Sequence, residues 1–224
     1  MNQVVVSLIK PELPEKWQEI LSDVITEPKE LLRILKLNNE GCAAIEEVIL
    51  SRGDPLPASD RQLNWLIDQL GTSYHLSTLQ IRTQIPIVVP QRLTQELVDI
   101  LRNSALIIVV VLRCPHPHEM GCRLSEKSEN RIENGVTLLY KKEIFNDIND
   151  ISRILEELSK TLLAARVLTH YLLLPDKVAG ISHYAAGNAQ AMPIMVEMQT
   201  ELPGYLTPNL VMEEPGSAFQ AQLL

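Results

Sequence analysis

Read for the spacing of its apolar positions, the chain changes character near residue 45. From there on, short apolar runs rich in β-branched residues alternate with longer amphipathic segments. The runs predict strands at 45–50 (IEEVIL), 78–82 (TLQIR), 105–112 (ALIIVVVL), 136–140 (VTLLY) and 167–174 (VLTHYLLL). Helices are predicted between and after them at about 59–70, 91–103, 123–134, 150–164 and 187–201, each with apolar residues near the 3.6 period. In the fourth helix, Ile151, Ile154, Leu155, Leu158 and Leu162 form one stripe. Ser59 with Gln62 three residues on is a capping box, and Asn149 or Asp150 is placed to cap the helix at 150.

Strands that are almost continuously apolar must be covered on both faces, which is the signature of parallel pairing with crossover helices. The expected fold class is therefore α/β, as a layer or as part of a βα barrel. In such folds the loops at the carboxyl ends of the strands gather on one face and bind ligands. Here those loops are SRGDPLPA, TQIPIVVP, RCPHPHEMGC, KKEIFNDIND and PDKVAGISHY.

The first 44 residues differ. A polar, proline-bearing lead (KPELPEKW) runs into WQEILSDVITEPKELLRILKL, which Glu27-Pro28 divides, because the residue before proline avoids the helical region while proline itself can start a helix. Two short helices followed by a linker at 38–44 are expected. The division is thus a helical arm, 1–44, and an α/β domain, 45–224.

Composition narrows the functions. With 46% hydrophobic and 21% charged residues in 224, the chain has the make-up of a folded globular protein. A net charge of −8, aromatics at 4%, and no basic run longer than Lys141-Lys142 speak against nucleic-acid binding, which needs concentrated cations or stacking platforms. The longest apolar run, 105–112, falls short of the roughly 20 residues of a membrane-spanning helix, so no membrane partner is expected. Three cysteines, Cys42, Cys114 and Cys122, with no secretory leader ahead of them, argue against a disulfide framework and for the reducing cytoplasm.

Taken in order, EEVILSRGDPL, LQIRTQIPIVVPQRLT, HPHE, NGVTLLYKKEIFNDIND, HYLLLPDKVAGISHY and GYLTPNLV resemble the lysine 2,3-aminomutase family, closest to the branch that makes β-lysine for modification of translation elongation factor P. The resemblance runs from about Trp17 to the end. It implies a radical S-adenosylmethionine (SAM) isomerase with a partial βα barrel, a [4Fe–4S] cluster and pyridoxal phosphate. Those cofactors carry the chemistry, and the protein supplies binding and orientation.

Several departures from the family pattern fall on its functional positions. Three thiolates spaced C-x3-C-x2-C must converge on three irons and leave the fourth open. No such spacing exists here, and Leu37 and Ile45 are separated only by NNEGCAA, so the stretch that carries this loop and the first barrel strand is expected to be missing. Ser217 in EPGSA stands where the resemblance places the imine-forming lysine, and serine forms no imine. Lys141, Lys142 and Lys177 lie in other blocks. Arg52 replaces a glycine in the SAM turn, Gln84 replaces an arginine, and Tyr140 to Lys142 replace Asn-Gln-Ser.

What remains are candidates, each beside a plainer reading. Gly53 and Asp54 match the SAM-contacting turn; Gly-Asp-Pro also simply makes turns. Asp176 matches an aspartate that receives the substrate ammonium; a solvated loop carboxylate is the default. His116 and Glu119 in HPHE and His183 match pocket positions, yet hydrogen-bonded loop residues are commoner. Cys114, His116, His118 and Cys122 offer two thiols and two imidazoles to a metal, but C-x-H-x-H-x3-C is not a common zinc spacing. Tyr171 and Tyr184 read as packing. The sequence thus predicts a truncated, catalytically inactive homologue that holds no cofactor. Its bared barrel edge invites self-association; retained ligand binding and residual isomerase activity beside a full-length partner are the alternatives.

Overall fold

Apolar strands at 45, 78 and 107 need helices to cover them, and the chain supplies these in alternation. In a computed structural model, the described residues are 2–7, 45–51, 54–73, 76–114, 116–119, 135–146, 148–174, 188–213 and 220–223. They divide into two compact units, 1–111 with 131–137 and 112–130 with 138–224.

In the first unit, β1 (Asn2–Ser7), β2 (Ile45–Ser51), β3 (Thr78–Thr83) and β4 (Ile107–Leu112, as far as Val111) lie side by side in chain order. β1 pairs parallel with β2, Val4 opposite Val48, and β2 pairs parallel with β3, Val48 opposite Leu79. Helix α1 (Asp60–Gly71) starts at the capping box read from the sequence: Ser59 Oγ accepts from Gln62 N at 3.4 Å, and Gln62 Oε1 accepts from Ser59 N at 3.0 Å. Its buried stripe is Leu63, Leu66, Ile67 and Leu70. Helix α3 (Gln95–Arg102) is capped by Thr94 Oγ1 and buries Leu97, Val98 and Leu101. Each fully buried aliphatic side chain of this kind stabilises the fold by about 1.5–3 kcal/mol.

In the second unit, β5 (Val136–Glu143, from Leu138 on) pairs parallel with β6 (Leu168–Leu174), and β6 pairs parallel with β7 (Asn209–Glu213). β8 (Gln220–Gln222) closes the edge antiparallel to β7. Helices α4 (Ser152–Ala164) and α5 (Asn188–Glu201) cover the strands, with Ile144, Leu155, Leu172, Met195, Met198 and Leu210 in one core. No helix among the described residues is long and apolar enough to cross a membrane.

Several elements differ from the sequence expectation, among them β7 and β8, which lie beyond the last predicted strand at 167–174. The helix predicted at 91–103 is shorter, because Pro86 and Pro90 set up a separate turn of helix, α2 (Ile85–Val88), and a 3-10 turn (Pro90–Arg92) ahead of α3. Strand β5 continues through Glu143, since ladder pairing with β6 extends past the apolar run. Neither Asn149 nor Asp150 caps α4. The fully buried Asn149 instead accepts from Phe145 N at 2.8 Å and donates to Glu143 O at 3.1 Å, fastening the loop after β5. Within the arm, β1 was not expected, and it pairs along the edge of β2. The arm's helices and the helix at 123–134 lie outside the described residues.

Candidate functional site

At the carboxyl end of β2 the side chain of Asp54, half-buried, is filled by donors from its own chain. Leu56 N donates to Oδ1 at 3.1 Å, the Asx turn that Asp-Pro favours. Thr83 Oγ1, at the end of β3, donates to the carboxylate, lying 2.6 Å from Oδ1 and 2.7 Å from Oδ2. Gln84 N and Ile85 N add bonds to Oδ2 at 2.8 and 3.2 Å. Both oxygens are thus engaged across two strand ends. Gln84, where the resemblance places an arginine, exposes its side chain and contributes its main-chain amide.

From the other side Arg92 reaches back. Its Nε donates to Leu56 O at 2.6 Å and its Nη2 to Ala58 O at 2.8 Å, while Nη1 pairs with Asp60 Oδ1 at 2.5 Å. Thr94 Oγ1 donates to Asp60 Oδ2 at 3.0 Å. Thr83 and Arg92 were not singled out in the sequence. Their only signals are a polar strand end and a lone arginine in PQR.

In the second unit the HPHE turn satisfies itself. Cys114 is 2% exposed, and its thiol donates to His116 O at 3.2 Å. His116 Nδ1 accepts from His118 N at 3.2 Å, and the two rings meet edge to face with centroids 4.6 Å apart. Tyr140 donates its hydroxyl to Cys114 O. Burial pushes the Tyr140 phenol well above 10.0, and the negative potential of Cys114, Glu119 and Glu143 pushes it the same way. Glu119 itself is exposed. Among the described residues no three His, Cys, Asp or Glu side chains converge as a metal site.

Lys141 is 9% exposed and pairs in register with Tyr171 across β5 and β6. The register slips there, between Tyr140 opposite Thr169 and Lys141 opposite Tyr171, so His170 is the extra residue of a bulge. The His170 ring lies 3.8 Å from that of Tyr171. Its pKa is lowered from 6.5, first by burial and then by the Lys141 charge. Arg52, Gly53, Cys42, Cys122, Asp176, Lys177, His183, Tyr184 and Ser217 lie outside the described residues, as does the side chain of Lys142.

These groups do not fit a [4Fe–4S] cluster. Three thiolates must converge on it; cysteines stand only at 42, 114 and 122, and the Cys114 thiol is buried against a main-chain carbonyl. At position 217, where the resemblance places the imine-forming lysine, the sequence has serine, whose hydroxyl cannot condense to an imine.

No family model matches the chain. It is similar to the L-lysine 2,3-aminomutase of Haemophilus influenzae, 39% identical over 181 residues that make up 80% of this chain and 54% of that protein. The enzymes of the same name from Buchnera aphidicola subsp. Baizongia pistaciae and Escherichia coli are 38% and 36% identical, over 77% and 80% of this chain and 51% and 52% of theirs. A radical SAM methyltransferase from Sphaerobacter thermophilus shares the fold, with a TM-score of 0.54 at 11% identity, over 83% of this chain and 56% of that one. The fold class is accordingly α/β, a partial parallel βα barrel of radical-SAM type. The chain spans about half the length of the curated relatives it matches. It is a homologue of the L-lysine 2,3-aminomutases, related to them along about four fifths of its own residues.

Proposed function

We propose that this polypeptide, acting alone, is a catalytically inactive homologue of lysine 2,3-aminomutase. Radical formation from SAM requires an iron cluster with one open iron, and three converging thiolates are the minimum to hold it. The observation that carries the reading is the cysteine set: three residues, at 42, 114 and 122, in no C-x3-C-x2-C spacing. The occupied carboxylate of Asp54 supports it, since the turn that resembles a SAM contact spends its charge on its own neighbours. Ser217 supports it a second time, because migration of the amino group needs an imine. The setting we propose is the cytoplasm and the β-lysine branch that serves elongation factor P, on the strength of the sequence blocks from EEVILSRGDPL to GYLTPNLV.

Anaerobic reconstitution with iron and sulfide tests this. The purified chain should remain colourless near the cluster band, and incubation with SAM, pyridoxal phosphate and L-lysine should give no β-lysine. Stoichiometric iron together with β-lysine from the chain alone overturns the proposal. Repeating the incubation with a complete aminomutase of known rate separates a silent chain, which leaves that rate unchanged, from one that contributes to a mixed assembly.

A further inference from the structure

The two loops that leave β2 and β3 exchange contacts in opposite directions. The β2 loop sends a carboxylate forward: Asp54 takes the Thr83 hydroxyl and the amides of Gln84 and Ile85. The β3 loop sends a guanidinium back: Arg92 takes the carbonyls of Leu56 and Ala58 and the carboxylate of Asp60. Asp54 and Arg92 share no partner atom in these bonds, yet each bond joins residues 54–60 to residues 83–94 or lies within one of those stretches. We propose that Asp54 and Arg92 form a reciprocal clamp that makes the β2 and β3 exit loops one cooperative element, a platform at the carboxyl end of the strands that is fixed without any ligand.

The physics favours cooperation over two separate staples. Asp54 is the forward end of an Asx turn whose next residues present the carbonyls that Arg92 grips. If Arg92 lets go, the 56–60 segment loses its anchor, and the turn that aims Asp54 at β3 loses its far wall. If Asp54 lets go, the Gln84 amide loses its acceptor, the Ile85 amide keeps only Thr83 Oγ1, itself no longer held by the carboxylate, and the chain leading to Arg92 through Pro90 is loosened at its start. Charge-assisted bonds of this kind are the strong ones, and each end supplies one charged group to main-chain partners, with the Thr83 hydroxyl added at one end and the Asp60 carboxylate at the other. Groups that share a network of this sort are expected to be non-additive on mutation. The clamp does not depend on the activity of the chain, so it stands or falls apart from the function proposed above.

Amide hydrogen exchange on the full chain, resolved by residue, tests it. Arg92→Met should speed exchange at the Gln84 and Ile85 amides at least tenfold, although Arg92 touches neither. Asp54→Ala should do the same, and the double variant should exceed the faster single by no more than about twofold. The amides of Leu66 to Leu70 in α1 serve as the internal control and should stay within twofold of the parent. Should Arg92→Met fail to fold, Arg92→Lys, which keeps charge but not the forked geometry, is read at the same amides against the same thresholds. Unchanged exchange at Gln84 and Ile85 in the Arg92 variant, or effects that multiply in the double, overturn the clamp.

Discussion

The Tyr140 hydroxyl donates to the main-chain carbonyl of Cys114, tying β5 to the turn that carries His116. Cys114 and Tyr140 are both buried, at 2% and 3% exposure, so the bond lies away from solvent. Tyr140→Phe keeps the ring and removes the donor, so stability measured by urea titration should fall by about 0.5–1.5 kcal/mol, the net contribution of a hydrogen bond. The same residue sets an alkaline limit. Its phenol is held neutral, well above 10.0, by burial and by Cys114, Glu119 and Glu143. In the unfolded chain the phenol ionises near pH 10. The contribution is therefore complete below that pH and is lost as pH rises toward the folded-state value. Tyr140→Phe should flatten the decline in stability above pH 10, and an unchanged slope would assign it to other groups.

His170 works in the opposite direction. Its pKa is lowered from 6.5 by burial and by Lys141, so the folded state disfavours the proton that the unfolded state accepts. The stability tied to this group is present above about pH 6.5 and is lost as pH falls toward the lowered value. Lys141→Met removes one of the two causes. A proton NMR titration of the imidazole should then show the midpoint move upward, toward 6.5 but short of it, because burial persists. A midpoint that does not move would mean that Lys141 is not the charge His170 feels.

Most strands and helices were legible because their spacing is set by burial, which the sequence states directly. The stripe of α4 and the box at Ser59 are local facts, and both appear where they were read, apart from the solvent-facing Ile151 and half-buried Ile154 at the first turn of α4. What failed depends on distant partners. The valines of Asn2–Ser7 form a strand because β2 offers an edge, and three residues are too short a run to announce it. Asn149 looks like a helix cap in sequence, yet the carbonyl of Glu143 and the amide of Phe145 claim it first. The site shows the same limit. Asp54 was visible as a turn residue, but its dependence on Thr83, twenty-nine positions on, was not.

Two ion pairs allow burial to be weighed against mere proximity. Arg92 and Asp60 meet at 2.5 Å with side chains 18% and 16% exposed, and Asp60 also accepts from Thr94. Lys160 and Glu156 lie one helical turn apart at 3.8 Å, with the lysine 58% exposed. Asp60→Ala should cost about 1.5–3 kcal/mol, since it removes the charged acceptor that Arg92 Nη1 and the Thr94 hydroxyl share. Lys160→Ala should change stability by less than about 0.5 kcal/mol. Denaturant titration of both variants checks the ratio, and equal effects would show that burial does not govern the difference.

Two glycines should respond to alanine in opposite ways. Gly71 ends α1 in helical conformation, and a Cβ there would sit 3.4 Å from that of Ala105, an ordinary contact. Because glycine in a helix gives up about 0.5–1 kcal/mol to alanine, Gly71→Ala should leave stability unchanged or raise it by up to that amount. Gly135, just before β5, has φ +112°, and nothing lies within 4 Å of its would-be Cβ. Space is therefore not the obstacle, and backbone conformation is. Gly135→Ala should destabilise by about 1–3 kcal/mol, the cost of holding an L-residue in that region, unless the turn shifts to relieve it. Thermal unfolding of the two single variants tests the contrast. A stable Gly135→Ala with unaltered exchange at the β5 amides would show that the positive φ is not required for β5 to begin where it does.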